Sequence, residues 1–426
     1  YTDADMFASP EIVDRLLHQK RDASAVCLFS RLIGCCHKRK RSVPLCRLIQ
    51  FPQPVIIHHK HDVIRIFFLI FLLAYVGGNV YIFIRTLQML SGFSLAMKIL
   101  LSVVYWLVAF SLVIAMLTRH IDMPVILSKS MFHIGSVWLV FTLYMIFALL
   151  IADVTRIFVP SLNHGFYYAL GATCCLLLYG YYNYRHPQVN KIDVFLDKPI
   201  EGHGINIVAV SDVHLGYGTG KAMLKEYVDM INAQHPDLIL IGGDLIDNSL
   251  TPLYKENMAE ELARLKAPLG IYMVPGNHEY ISGIDESVRF LKDTPIQLLR
   301  DSVVTLPNGV QIIGRDDRSN RSRHSLPTLL KQADRSKPII LLDHQPYNLA
   351  KTDSLGIDLQ FSGHTHHGQI WPMSLITDRI YEQSHGYRKW SQSHIYVSSG
   401  LSLWGPPFRI GTNSDMAVFH LNQMAK

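Results

Sequence analysis

Residues 205–216 read INIVAVSDVHLG and residues 237–247 read DLILIGGDLID. Each is a short, largely apolar run that breaks off in small and acidic residues. Runs of this length, rich in β-branched side chains, read as buried strands. Between them KAMLKEYVDMINAQ (221–234) has helical spacing, and ENMAEELARL (256–265) repeats that pattern before a third strand-like run, GIYMVPGN (270–277). Further strands are expected at GVQIIGRDD (309–317), PIILLDHQ (338–345) and IDLQFSGH (357–364). Strands alternating with helices predict an α/β core with helices on the faces of its sheets, and in such folds ligands collect where strands end.

The preceding residues are of another kind. Residues 66–84, 99–117, 134–152 and 166–184 carry no charged side chain. Each is about the length, roughly 20 residues, that a helix needs to cross the hydrocarbon layer. Four such stretches predict an α-helical membrane domain of four spans over 61–185, after a polar, basic leader (1–60) and before the α/β domain (186–426). The leader lacks the apolar core of a secretory signal, so the first span would drive insertion. His37–Arg41 (HKRKR), Arg47 and Lys60 precede that span. Their excess places the N-terminus inside, and four crossings return the catalytic half to the cytoplasm. The net charge of +6 comes mostly from this cluster. It points to anionic membrane lipid rather than nucleic acid as its partner. All six cysteines precede residue 186, so the C-terminal half has no internal disulfide, in keeping with a reducing compartment.

The strand ends carry the chemistry: Asp212 and His214 in SDVHLG, Asp244 in GGDLID, Asn277 and His278 in GNHEY, His344 in DHQP, His364 and His366 in GHTHHG. Alone, each reads as a turn residue, a cap or a locally satisfied histidine. Together on one side of a sheet they suit a two-metal phosphoester site. Such a reaction needs the phosphoryl charge neutralised, a hydroxide near neutral pH and a stabilised leaving oxygen, which two adjacent cations supply. Asp244 is the expected bridge. Asp212, His214 and His366 complete one ligand set, and Asn277, His344 and His364 the other. The mixed nitrogen and oxygen donors suit manganese, iron or zinc rather than magnesium. His278 is expected to face substrate and donate a proton to the leaving oxygen. His367 is expected outside the ligand set, and Glu279 or Asp343 to orient a histidine. GYGTGK (216–221) lacks the spacer and the Ser or Thr of a phosphate-binding loop and reads as a glycine-rich turn.

These blocks, in this order, resemble the calcineurin-like metallophosphoesterases over residues 203–422. GRDDRS (314–319) and SSGLSLWGPPFRIG (398–411) are similar to the subgroup attached to membrane segments. The resemblance implies a four-layer αββα sandwich with a dinuclear centre, and supports Asp244 as bridge and His278 as catalytic residue. The expected function is a membrane-anchored, metal-dependent phosphoric ester hydrolase acting on a phosphomonoester, phosphodiester or pyrophosphate. Trp371, Trp404 and Phe408 beside the metal loops suggest a lipid-linked phosphate, with Arg409 as a phosphate contact, although the same residues would serve to cap the core. The competing reading is a catalytically silent membrane scaffold or receptor.

Overall fold

The computed structural model describes residues 60–118, 123–202 and 204–424. The basic leader therefore lies outside the described residues. The chain divides into two compact units, 1–77 and 78–426; the described part of the first is the start of helix α1 (Lys60–Met89).

Helices α2 (Leu95–Leu117), α3 (Val125–Phe158) and α4 (Gly165–Arg185) follow α1. Ser94 caps α2 by accepting from the Met97 amide. Ile82, Met145, Leu149 and Ala169 make a small buried cluster among α1, α3 and α4. Two polar side chains of α1 have partners on α3. Asn79 Oδ1 accepts from Trp138 Nε1 at 2.8 Å, and Arg85 meets Asp153 at 3.0 Å.

Among the described residues three helices, not four, are long and apolar enough to cross a membrane: 69–89, 95–115 and 126–158. The fourth expected span does form a helix, α4, but its composition falls short. Tyr167, Tyr168, Tyr179, Tyr181, Tyr182 and Tyr184, with Asn183 and three glycines, dilute its apolar residues. The stretch is also less apolar than the other three in the sequence itself.

The remainder builds two six-stranded sheets. One runs in the order β1 (Gln188–Leu196), β12 (Asp415–Gln423), β2 (Ile205–Val210), β3 (Leu238–Ile241), β4 (Ile271–Met273), β5 (Ile296–Leu298). The other runs β10 (Gly386–Lys389), β11 (His394–Val397), β9 (Leu359–Ser362), β8 (Ile339–Leu342), β7 (Gln311–Gly314), β6 (Ser302–Thr305). The strands holding the expected site are mutually parallel within each sheet: β2 with β3, β3 with β4, β8 with β9. Their C-terminal ends thus share one edge.

Alternation along the strands divides the core. Ile207, Ala209, Leu238 and Leu240 share a cluster with Ile312, Ile340, Leu342, Leu359 and Phe361 of the other sheet. Val208, Val210, Ile239 and Ile241 turn the opposite way, onto Leu224, Val228 and Ile231 of helix α5 (Lys221–Asn232). Ile313, Ile339 and Leu341 pack on Leu326 and Leu329. A buried leucine or isoleucine contributes about 1.5–3 kcal/mol, so these layers fix the strand ends firmly.

Candidate metal centre

The backbone turns sharply where the strands stop. Asp212, His214, Asp244, His364 and His366 all have left-handed φ, between 47° and 72°. That region is uncommon for residues with a Cβ, and each such residue costs about 1–2 kcal/mol. Loop-to-loop bonds hold the turns: Asp212 N to Gly243 O at 3.0 Å, His214 N to Asp244 O at 3.0 Å, and Gly363 N to His344 O at 2.9 Å. Glycines permit the close approach. A Cβ on Gly276 would collide with the Asp244 carboxylate, and one on Gly363 with Ser211 and Asp212.

Donor atoms consequently gather in two groups. Asp212, His214 and His366 form one, and Asp244, His344 and His364 the other; Asp244 also lies with His214 and His278. In the first, His214 Nε2 is 3.2 Å from His366 Nε2, and His366 Nε2 is 3.4 Å from Asp212 Oδ1. In the second, His344 Nε2 is 3.1 Å from Asp244 Oδ2 and 3.2 Å from Asn277 Oδ1, which in turn is 2.9 Å from His364 Nδ1. Cation–ligand bonds of about 2.0–2.1 Å in tetrahedral geometry imply ligand-to-ligand distances of roughly 3.3–3.4 Å, so these spacings fit. Two imidazole nitrogens facing each other at 3.2 Å accommodate one proton or one cation between them. Second contacts orient the rings: His344 Nδ1 is 2.8 Å from Gly242 O.

Without bound cations the electrostatics divide the donor set: at His344 burial favours the neutral ring, but Asp244 and Asp212 outweigh it and hold the imidazole well above its ordinary value. Burial, reinforced by the neighbouring His344, pushes His364 down to about 3. Burial and His214 push His366 well below its ordinary value. Both rings are thus neutral, the form that ligates a cation. Burial raises the Asp212 carboxyl against the pull of His344. At Asp244 burial acts in the same sense, but His344 and His278 outweigh it and hold the carboxyl well below the usual range. His278 is buried, which favours its neutral form, yet Asp244 and Asp247 raise it to about 9.

Asp247 was not foreseen from the sequence. Its Oδ1 lies 3.2 Å from His278 Nδ1 and 3.4 Å from His214 Nδ1. Burial opposes its ionisation, but the two histidines bring it down to about 2. The available signal was a second carboxylate three residues beyond Asp244 in GGDLID. Trp404 stands edge-on to His278, with ring centroids 6.4 Å apart.

Three expectations need correction. Arg409 is fully buried and is not an open phosphate contact. Its guanidinium donates to His366 O at 2.6 Å, to Ser399 O, and to Ser402 O at 3.2 Å. A planar fork of donors suits such a ring of carbonyls. Glu279 orients backbone rather than a histidine, accepting from the amides of Asp244, Ile246 and Gly276. Asp343 pairs with Arg315 at 2.6 Å and Arg323 at 3.1 Å.

The same loops rest on helices α3 and α4. Arg409 N donates to Gly180 O at 2.9 Å, Tyr144 OH donates to Trp371 O at 2.7 Å, and Phe408 and Ile410 pack with Val140 and Tyr144. Gly180 is required there, since a Cβ would meet Ile410 Cγ1 at 2.5 Å. Trp371 remains 47% exposed, and Leu375 and Ile376 just beyond it are 56% and 46% exposed.

A family model described as calcineurin-like phosphoesterase matches residues 205–368. An uncharacterized metallophosphoesterase of Helicobacter pylori strain J99 is 34% identical over 276 residues, covering 62% of this chain and 73% of that protein. A transmembrane protein with metallophosphoesterase domain from Danio rerio is 30% identical over 273 residues, covering 60% of this chain and 62% of that protein. Among solved structures, a 5'-nucleotidase precursor from Thermus thermophilus is 14% identical, with a TM-score of 0.33, covering 51% of this chain and 55% of that one. That last likeness is too loose to bear on function.

Proposed function

The chain belongs to the calcineurin-like metallophosphoesterases, in the subgroup attached to membrane helices, and from that premise we propose that it hydrolyses phosphoester or pyrophosphate bonds at the paired donor groups. One observation carries the reading: Asp244 sits with both His214 and His344, between two groups of buried donors. The two sheets sharing one apolar layer, with helices against their outer faces, support the four-layer αββα arrangement.

Two divalent ions held by Asp212, His214, His366, Asp244, Asn277, His344 and His364 would supply phosphoryl charge neutralisation and an activated water. In the proposed reaction a water oxygen forms the new P–O bond and loses one proton to solvent, and the ester P–O bond breaks. His278, oriented through Nδ1 by Asp247, gives its proton to the leaving oxygen, and solvent later returns a proton to His278. Ring nitrogens beside carboxylates favour manganese, iron or zinc over magnesium.

For the substrate we favour a lipid-linked phosphate. Exposed Trp371, Leu375 and Ile376 follow the histidine loop directly, and Trp371 adjoins Phe147 of the apolar helix α3. Aromatic rings with apolar neighbours are at home at a bilayer interface. A cytoplasmic catalytic half requires α4 to supply a fourth crossing; protease access to a tag placed after Lys426 in intact cells reads the side directly.

The test is a turnover screen of the purified full chain on phosphomonoesters, diesters, pyrophosphates and detergent-dispersed lipid phosphates, against soluble nucleotides. Preference for lipid phosphates supports the full reading. Preference for nucleotides removes the lipid part, and no metal-dependent turnover on any class favours the silent scaffold.

A further inference from the structure

A second cluster of ligating side chains stands outside the paired centre and shares none of its donors. His367, Asp378 and His385 each offer one atom, all within 4.8 Å of one another. His367 Nε2 is 3.5 Å from Asp378 Oδ1, and the His367 and His385 rings stack with centroids 3.5 Å apart. We infer that these three residues form a separate binding site for a zinc-class divalent cation.

Three observations carry the assignment. The first is spacing: zinc bonds of about 2.0–2.1 Å imply ligand separations of roughly 3.3–3.4 Å in a tetrahedral site, close to the distance between His367 and Asp378. The second is a tautomer fixed by its neighbours. Ser384 Oγ gives its only proton to Asp378 Oδ1 and lies 3.1 Å from His385 Nδ1. The hydroxyl oxygen can therefore only accept from His385, which leaves the His385 Nε2 lone pair unclaimed by that chain. The third is assembly without a cation. Thr365 Oγ1 donates to Ser384 O at 2.6 Å and accepts from His367 N at 3.1 Å, so the two loops are already fastened together.

Near-parallel rings do not aim two nitrogens at one point. Loading therefore turns the exposed His385 ring out of the stack, while His367, half-buried, stays in place. The donor set of two imidazoles and one carboxylate leaves a position for water and favours zinc over magnesium. A cation there ties helix Met373–Ile380 and the Ser384–His385 turn to the loop carrying His364 and His366.

The experiment is metal counting. The metal-stripped full chain in detergent is dialysed against Zn²⁺ or Mg²⁺, and bound metal per chain is measured for the wild type, His385→Ala and Asp378→Asn. Both altered positions are exposed, and matched melting temperatures verify that the variants fold. The expected result is one Zn²⁺ fewer per chain in each variant than in the wild type, with no such difference for Mg²⁺. A second readout is modification of His385 by diethylpyrocarbonate, which Zn²⁺ should slow in the wild type and leave unchanged in Asp378→Asn. Equal zinc counts in all three proteins, or no zinc protection of His385, overturn the assignment. Both readouts stand whether or not the paired centre hydrolyses anything.

Discussion

Replacing Arg409 by Met separates a scaffolding role from a phosphate-contact role. The substitution roughly keeps volume but removes the donors to His366 O, Ser399 O, Gly400 O, Ser402 O and Ser414 Oγ. The bonds to Gly400, Ser402 and Ser414 are long, at 3.2–3.3 Å, so the main loss lies at His366 O and Ser399 O. Two charge-assisted bonds contribute about 3–6 kcal/mol together. Removing a buried guanidinium also relieves its desolvation, which offsets part of that loss. The net expectation is destabilisation by about 2–4 kcal/mol. A urea titration of the purified chain measures it. Because His366 O is among the orphaned acceptors, metal retention should fall as well. Arg409→Lys keeps the charge but not the fork, so it should recover only part of either loss. A phosphate contact predicts the opposite pattern: unchanged stability and metal content, with weakened substrate binding. That outcome would refute the reasoning.

Other consequences are equally direct. Gly180→Leu drives a side chain into Ile410 and Phe408, so it should lower both melting temperature and metal retention; values matching the wild type would show that α4 does not support the loop. His278→Ala should retain most of the metal yet lose turnover by about 10²–10⁴-fold, and equal loss of metal and rate would deny His278 its separate role. His394, buried on β11 beside Tyr387, is held down to about 4 by burial and by Lys389. The unfolded chain takes up that proton near pH 6.5 and the folded chain does not, so stability present above pH 6.5 is lost as pH falls toward 4. After discounting for screening the loss is about 2 kcal/mol at most. His394→Phe should flatten that part of the urea midpoint against pH, and an unchanged slope would contradict it.

Much of the convergence of donors was legible because it is local. Each apolar run ends two to four residues before its Asp, Asn or His, and His364 and His366 stand in one turn with a single residue between them. Parallel neighbours β2–β3–β4 and β8–β9 then bring those ends to one edge. What escaped depends on contacts remote in sequence. Arg409 stands near aromatic residues in the chain, but the carbonyls of residues 366–402 draw its guanidinium inward. Glu279 sits beside His278, yet the orphan amides at Asp244 and Ile246 claim its carboxylate. Strand β1, largely polar in its first half and largely apolar in its second, pairs with β12 more than 200 residues later, and no local pattern announces that partner. The fourth apolar stretch has the length of a span, but it also serves the catalytic half, whose 408–411 loop packs on it at Gly180.

The measurement that bears most directly on the paired centre is electron paramagnetic resonance of the metal-stripped full chain reloaded with Mn²⁺. Two ions sharing Asp244 would lie roughly 3.5–4 Å apart and give a spin-coupled signal that Asp244→Asn abolishes. Only the six-line spectrum of isolated ions, or a coupled signal that survives without Asp244, would contradict the account.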